Sequence, residues 1–466
     1  MGPVSMARET RGLSGVRPPL APIAPSFDRR VLALVHAALP LLLRLRLFPW
    51  LPAGITGLEV VDGDTLTRCL CRFHAGEIRL ILAVRHAEVD DPLSALWLLS
   101  RDQPRRARRL GLAIGRPVHA HFLFDRGMPL WAGPALGWLL GRLGGVSLRR
   151  GRHPDWTALR RARRLVLEGR FPFALAPEGA TNGHGERIGP LEPGAAQLGI
   201  WCLDDLRRAG RGEEVLILPI AVQYRYLRPD WPGLARLMGR LERSLGMPSW
   251  RDPVERPTLD PAALHCRLVR LGDALMGKLE GSYDLQPEPA LERGERIARL
   301  LDRALATAES RLGLSARGTP VDRCRRLEEA VWSRVYPDDL PPQRLSPLDR
   351  GLADWRAVEA SLAERHMRLA ECFVAVSGRY VEERPSYERF METTLLIHDS
   401  VCRLRGDRLP ARPRLVARRV RLSVAAPLSV QERLDAFAGT GSRRLGRAVI
   451  ASLNDDIRRS FEAALI

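Results

Sequence analysis

His86 is the only histidine of the chain with an aspartate five positions later, in Arg85-His86-Ala-Glu-Val-Asp-Asp91-Pro92. A carboxylate at that distance can accept a hydrogen bond from one imidazole nitrogen. That fixes the tautomer and leaves the other nitrogen free to take a proton from an alcohol. An aspartate capping a helix beside a structural histidine has the same signature. Two further segments carry polar groups at strand ends. Gly144-Gly-Val-Ser-Leu-Arg149-Arg150-Gly151 closes on two arginines, whose planar forks suit phosphate, although a surface pair reads the same way. Leu175-Ala-Pro177-Glu178-Gly179-Ala-Thr181-Asn182 runs from an apolar strand into a turn. There Glu178 is either a site carboxylate or a helix cap. His119-Ala-His121 sets two imidazoles on one strand face, but no third ligand is evident, so no metal is expected. His184 reads as a turn residue.

The elements that must position these groups alternate. Ile78–Val84, Pro117–Leu123, Gly145–Leu148, Phe173–Ala176 and Val215–Tyr224 read as strands. Helices are predicted after Asp91-Pro92, an N-cap followed by proline, over Ala132–Leu143 and over Pro154–Arg170. Strands alternating with helices imply an α/β layer fold. A proline, Pro219, stands inside the apolar run Leu216–Val222, unusual within a sheet. After about residue 230 the texture is helical. Leu264, Leu268, Leu271, Leu275 and Leu279 mark one helix, and others are predicted over 290–313, 321–334, 349–382 and 385–404. Leu415–Val424 alternates as a strand again, with Ala426–Val430 and a last helix behind it. A lone strand cannot satisfy its own backbone, so it is expected to return to the first sheet. The expected organisation is a flexible tail (1–27), an N-terminal apolar and basic helix (28–57), a core (58–230), a helical region (231–412) and a returning strand and helix (413–466).

The chain has 466 residues, 45% hydrophobic and 27% charged, which excludes a disordered chain and a polytopic membrane protein. Its 73 Lys+Arg against 54 Asp+Glu give a net charge of +19, and Lys278 is the only lysine. Such a balance points to an anionic partner: nucleic acid, a membrane surface or a phosphorylated substrate. The basic stretch 154–170 lacks interleaved aromatics, so no nucleic-acid partner is expected. The 7 cysteines are scattered and odd in number, so a reducing, cytoplasmic setting is the default. The apolar run Val31–Leu43 is shorter than the about 20 residues of a membrane span and does not resemble a signal peptide. It reads as a buried helix or as an interfacial one flanked by Arg29, Arg30, Arg44 and Arg46.

The order and spacing of the four blocks resemble the glycerolipid acyltransferase family, above all its 1-acylglycerol-3-phosphate acyltransferases. The blocks are His86-x-x-x-x-Asp91, Gly144…Arg150, Pro177-Glu178-Gly179 and the Pro219 strand, and the likeness covers about 58–228. Asp91-Pro92 and Leu191–Trp201 resemble a bacterial subgroup with a long helical C-terminal region, and Val420–Leu428 resembles that family's closing strand. The chain departs from the family pattern at Arg85, Ala176, Ala180 and Ala425. The resemblance implies a mixed central sheet flanked by helices and an acyl transfer from acyl-CoA or acyl-ACP to lysophosphatidate, without cofactor or metal. It implies His86 as general base, Asp91 as its orienting carboxylate, and Arg149 and Arg150 on the acceptor's phosphate. Glu178, Gly179 and Thr181 would complete the acceptor pocket. Membrane lipid and the acyl carrier are the implied partners, and the cytoplasmic membrane face, held by the interfacial helix, the implied location. Transfer to another lipid acceptor, such as glycerol-3-phosphate or an ornithine-type lipid, and a non-catalytic lipid-binding scaffold are the alternatives.

Overall fold

The computed structural model describes residues 15–46, 51–52, 54–149, 154–181, 183–248, 260–286, 288, 290–338, 344–373, 376, 378–407, 410–413, 416–437 and 442–465. The chain divides into two compact units. One comprises Pro22–Arg149, Asp155–Arg228 and Arg414–Ile466, the other Met1–Ala21, Arg150–Pro154 and Pro229–Pro413.

The first unit is α/β. Its strands are β1 (Ile55–Val61), β2 (Ile78–Val84), β3 (His121–Asp125), β4 (Gly145–Leu148), β5 (Phe173–Leu175), β6 (Glu214–Tyr226), β7 (Arg418–Val424) and β8 (Leu428–Ser429). They form one sheet of order β1-β7-β6-β2-β5-β3-β4, with β8 also on β6. The run from β6 to β4 is parallel, whereas β7 and β8 lie antiparallel to β6. The sheet is therefore mixed. Pro219 lies where the antiparallel neighbour of β6 changes, from β8 at Leu216 and Ile217 to β7 from Ile220 onward. The missing N–H falls at that junction, so the proline does not break the strand.

Helices cover both faces of the sheet: α1 (Arg29–Arg44), α2 (Gly63–His74), α3 (Asp91–Trp97), α4 (Gln103–Leu110), α5 (Met128–Ala132), α6 (Pro134–Arg142), α7 (Trp156–Glu168) and α8 (Gly194–Arg208). A π-helical turn, Leu98–Asp102, joins α3 to α4. Alternate strand residues feed two cores. Leu80, Leu82, Leu218, Val222 and Leu422 pack with α1 and α2 through Leu39, Leu43, Leu66 and Leu70. Ile81, Ala83, Ile217 and Ala221 pack with α7 and α8 on the other face. Both faces are dry, which is why β2 and β6 read as unbroken apolar runs rather than alternating ones. Each fully buried aliphatic side chain contributes about 1.5–3 kcal/mol.

Residues 22–27, the end of the stretch expected as a flexible tail, are tied to this unit. Ile23 N–H donates to Ser147 Oγ (2.8 Å) and Ser26 N–H to the Gly141 carbonyl (2.9 Å). Helix α1, capped by Asp28, buries Leu32, Val35, Leu39 and Leu43. Its outer face leaves Leu34 71% and Leu41 58% exposed. Among the described residues no helix is long and apolar enough to cross a membrane.

The second unit is helical: α9 (Trp231–Ser244), α10 (Pro261–Ser282), α11 (Arg293–Leu312), α12 (Pro320–Val335), α13 (Pro347–Glu371), α14 (Tyr380–Glu383) and α15 (Tyr387–Leu404). All five leucines that mark α10 in the sequence are buried. The helix expected over 349–382 is interrupted, and Gly378 in the gap adopts φ +76°. Many arginines here join helices rather than face solvent. Arg267 pairs with Glu242, Arg296 with Glu280, Arg323 with Glu309 and Arg368 with Glu328, each at 2.7 Å. The last part of the chain belongs to the sheet unit and holds α16 (Val430–Ala436) and α17 (Ser442–Ala464), two helices where one was expected.

Candidate functional site

Parallel strands present their carboxyl ends, and the loops that leave them, at one edge of a sheet. In such folds that edge is where ligands bind. His86 lies two residues beyond β2, Glu178 three beyond β5, and Arg149 one beyond β4. Strands β2 and β5 are neighbours, so the His86 and Glu178 loops touch: the His86 backbone N–H donates to Glu178 Oε2 at 3.0 Å. Strand β4 lies three places from β2, about 14 Å at the usual strand spacing.

The His–Asp pair is formed. Asp91 Oδ2 accepts from His86 Nδ1 at 3.1 Å and from the Glu88 N–H at 3.0 Å. A carboxylate can only accept, so the ring proton sits on Nδ1. Nε2 makes no hydrogen bond to the described residues, and the His86 side chain is 27% exposed against 3% for Asp91. The sequence places Asp91 as the cap of the next helix, and here the structure differs. Asp91 is the first helical residue, Asp90 is the cap position, and neither side chain caps the helix in the ordinary way. Both carboxylates are used elsewhere.

That use rests on residues the sequence reading passed over. Tyr224, on β6, donates its hydroxyl to Asp91 Oδ1 at 2.5 Å. Burial, then Asp90 and Asp91, push the Tyr224 phenol well above its ordinary pKa, so it stays a donor. Arg418, the first residue of β7, pairs with Asp90 and lies over the Tyr224 ring, 4.7 Å from its centroid. Both members of the Arg418–Asp90 pair are buried. Burial disfavours the Arg418 charge, but Asp90, Glu88, Tyr224 and Tyr226 together more than offset this and its pKa is raised. Alternation along β6 was a usable signal: Tyr224 shares a face with Leu218, Ile220 and Val222 and so points into the core on that face, where its hydroxyl meets Asp91.

Glu178 is a structural carboxylate with both oxygens engaged, Oε2 by His86 N–H and Oε1 by Gly189 N–H (3.0 Å). Burial pushes its pKa up, opposed by Arg85 and the two backbone donors. Arg85, fully buried, spends its guanidinium on carbonyls. It donates to Gly185 (2.6 Å), Val222 (2.9 Å), His184 (2.9 Å) and Arg187 (3.0 Å). This one side chain fastens the loop after Glu178 to β6. Gly179 turns that loop at φ +74°, a conformation that suits glycine. Thr181 follows in the same loop, half-buried.

Arg149 stands apart from this cluster. Its backbone N–H donates to Asp155 Oδ2 at 3.1 Å, and Arg126 also pairs with Asp155. Arg150 lies outside the described residues. His119 and His121 are structural: their rings face the carbonyls of Leu143 (2.8 Å) and Gly144 (3.1 Å). Burial lowers His119 to about 4. Among the described residues no group of three or more His, Cys, Asp or Glu is placed to hold a metal ion. All seven cysteines are free thiols.

The arrangement can abstract a proton. A half-open imidazole has its Nδ1–H held by a carboxylate whose other oxygen is held by a phenol, and its Nε2 is available. The chain matches no protein-family model, no curated protein and no solved structure with which it was compared.

Proposed function

We propose that the chain is an acyltransferase that moves a fatty acyl group from an acyl thioester, acyl-CoA or acyl-ACP, to the free hydroxyl of lysophosphatidate. The observation that carries this reading is the His86–Asp91 pair with Nε2 unpaired, at the carboxyl edge of the parallel strands. Asp91 holds the ring so that Nε2 takes the proton of the acceptor hydroxyl as its oxygen attacks the thioester carbonyl. The tetrahedral intermediate collapses with loss of the thiolate. The imidazolium, stabilised by Asp91, returns the proton to that sulfur. The reaction needs no covalent enzyme intermediate and no redox step. Arg149, with Arg150, is assigned to the acceptor's phosphate; the hydroxyl and phosphate of lysophosphatidate lie on adjacent carbons, so the arginine and imidazole side chains must reach toward each other across the about 14 Å between β4 and β2. Glu178, Gly179 and Thr181 shape the acceptor side by fixing the loop beside His86. The glycerolipid acyltransferase fold is part of the same proposal.

Peripheral attachment to a bilayer is part of this reading, and α1 and α6 support it. Leu34 and Leu41 on α1 and Trp138 (56% exposed) on α6 are large apolar side chains in water, and Arg29, Arg30 and Arg44 stand exposed along α1. Exposed leucines and arginines along one helix are the composition of an interfacial helix, and an exposed tryptophan is a common interfacial anchor. The test is a panel of acceptors with one acyl-CoA, scored by thiol release. Lysophosphatidate should be consumed in preference to an unphosphorylated monoacylglycerol. Equal rates on both would remove the phosphate role, and no thiol release with any acceptor, including glycerol-3-phosphate, would leave only a lipid-binding scaffold.

A further inference from the structure

A cavity away from His86 has a volume of about 310 Å³ and is lined by His36 of α1, Ser100 and Arg101 of the π-helical turn, Arg105 and Arg108 of α4, and Arg116 before β3. Ser100 lies nine residues along the helical segment from Asp91, about 13 Å at the helical rise, so this is a separate site.

The charge in it is unbalanced. Helix α4 carries four arginines on two faces. Arg106 and Arg109 face Asp64, at 2.8 and 2.7 Å, and Arg106 also holds Asp102 at 2.6 Å. Arg105 and Arg108 face the cavity, and no carboxylate lines it. Arg101, one turn before Arg105, donates to the His36 carbonyl at 2.8 Å. Like charges three and four positions apart on a helix repel, so this face is costly without a counter-anion. The second observation is independent of the arginines. His36 Nε2 and Ser100 Oγ are buried and have no hydrogen-bond partner among the described residues. Buried polar atoms left unpaired are rare and point to a missing partner. A single π-helical turn, where Ser100 sits, is also a frequent feature of functional sites.

We propose that this cavity binds the phosphate group of a phosphate monoester or diester. Arginine forks match phosphate oxygens bidentately, the Ser100 hydroxyl and the His36 imidazole stand in the wall behind them as unpartnered polar groups, and the volume admits the group with a small substituent. The site lies on α1, whose outer face carries the exposed leucines, so the phosphate comes either from a lipid headgroup or from a soluble ester. This inference does not rest on acyl transfer.

The test uses the full chain, wild type and Arg105→Ser/Arg108→Ser, with Arg160→Ser/Arg164→Ser as a control that removes the same charge from exposed positions of α7. Titration with inorganic phosphate by calorimetry should show saturable binding. It should weaken roughly tenfold or more in the first variant and stay unchanged in the control. Co-sedimentation with phosphatidylcholine vesicles, with and without phosphatidic acid, identifies the source. Loss of the phosphatidic-acid preference in the first variant assigns a lipid headgroup. An unaltered preference together with weakened phosphate binding assigns a soluble ester. The proposal is overturned if wild type binds neither phosphate nor phosphatidic-acid vesicles, or if the control variant loses as much as the first.

Discussion

Tyr224→Phe removes one oxygen from the structure and little else. The ring stays under Arg418, since phenylalanine offers the same face to the guanidinium. What is lost is the 2.5 Å hydrogen bond to Asp91 Oδ1. A hydrogen bond to a charged group contributes about 1.5–3 kcal/mol, and here Asp91 is left with a buried oxygen unsatisfied. Oδ2 keeps the Glu88 N–H and His86, so the carboxylate is weakened and not stranded. The expected loss of stability is about 2 kcal/mol by urea unfolding. If all of it appeared as misorientation of His86 in the transition state, kcat would fall about thirtyfold, which is the upper bound. The fall should be in kcat, with the KM for acceptor nearly unchanged, because Tyr224 touches Asp91 and not a substrate. Unaltered stability together with unaltered kcat would refute the view that the phenol supports the His–Asp pair. A large rise in acceptor KM at constant kcat would place Tyr224 in the binding pocket instead.

Three further outcomes follow from the same geometry. Arg85→Lys cannot reach four carbonyls at once and should cost about 3–5 kcal/mol in urea unfolding, with faster proteolysis in the 184–187 loop. Gly179→Ala should cost about 1–2 kcal/mol because of its positive φ. A Cβ there would also meet Glu192 Oε1, but that is the end of a flexible side chain, so adding Glu192→Ala should restore little. His119, held at about 4 by burial, is neutral when folded and takes up a proton more readily when unfolded. Its contribution is therefore complete above about 6.5 and is lost as pH falls toward 4, by about 3 kcal/mol in all. His119→Phe, beside Phe27 and Phe171, should flatten the stability profile over that range.

The strands around the site were legible because burial on both faces leaves an apolar signature that polar neighbours do not share. β2 and β4 have the expected bounds, and β6 runs through Pro219 because the neighbouring strand changes there. β3 begins later than expected: Val118 and Ala120 are buried and apolar but lie outside the register with β4, which starts at Phe122. Apolarity reports burial, and pairing is set by the partner strand. Within the site, His86 and Asp91 were legible because their contact is local. Asp90 and Arg418 were not, because 328 positions separate them and an arginine in so basic a chain reads as surface. Arg85 stood out only as a departure from a pattern, although it fastens the loop that carries the site.

The central claim is that His86 is the base of an acyl transfer. It is tested most directly by mass spectrometry of the lipids in cells expressing wild type or His86→Ala, with both proteins verified as folded. Wild type should raise phosphatidate at the expense of lysophosphatidate, and His86→Ala should leave both at the level of cells without the protein. The same rise in phosphatidate from His86→Ala would contradict the claim.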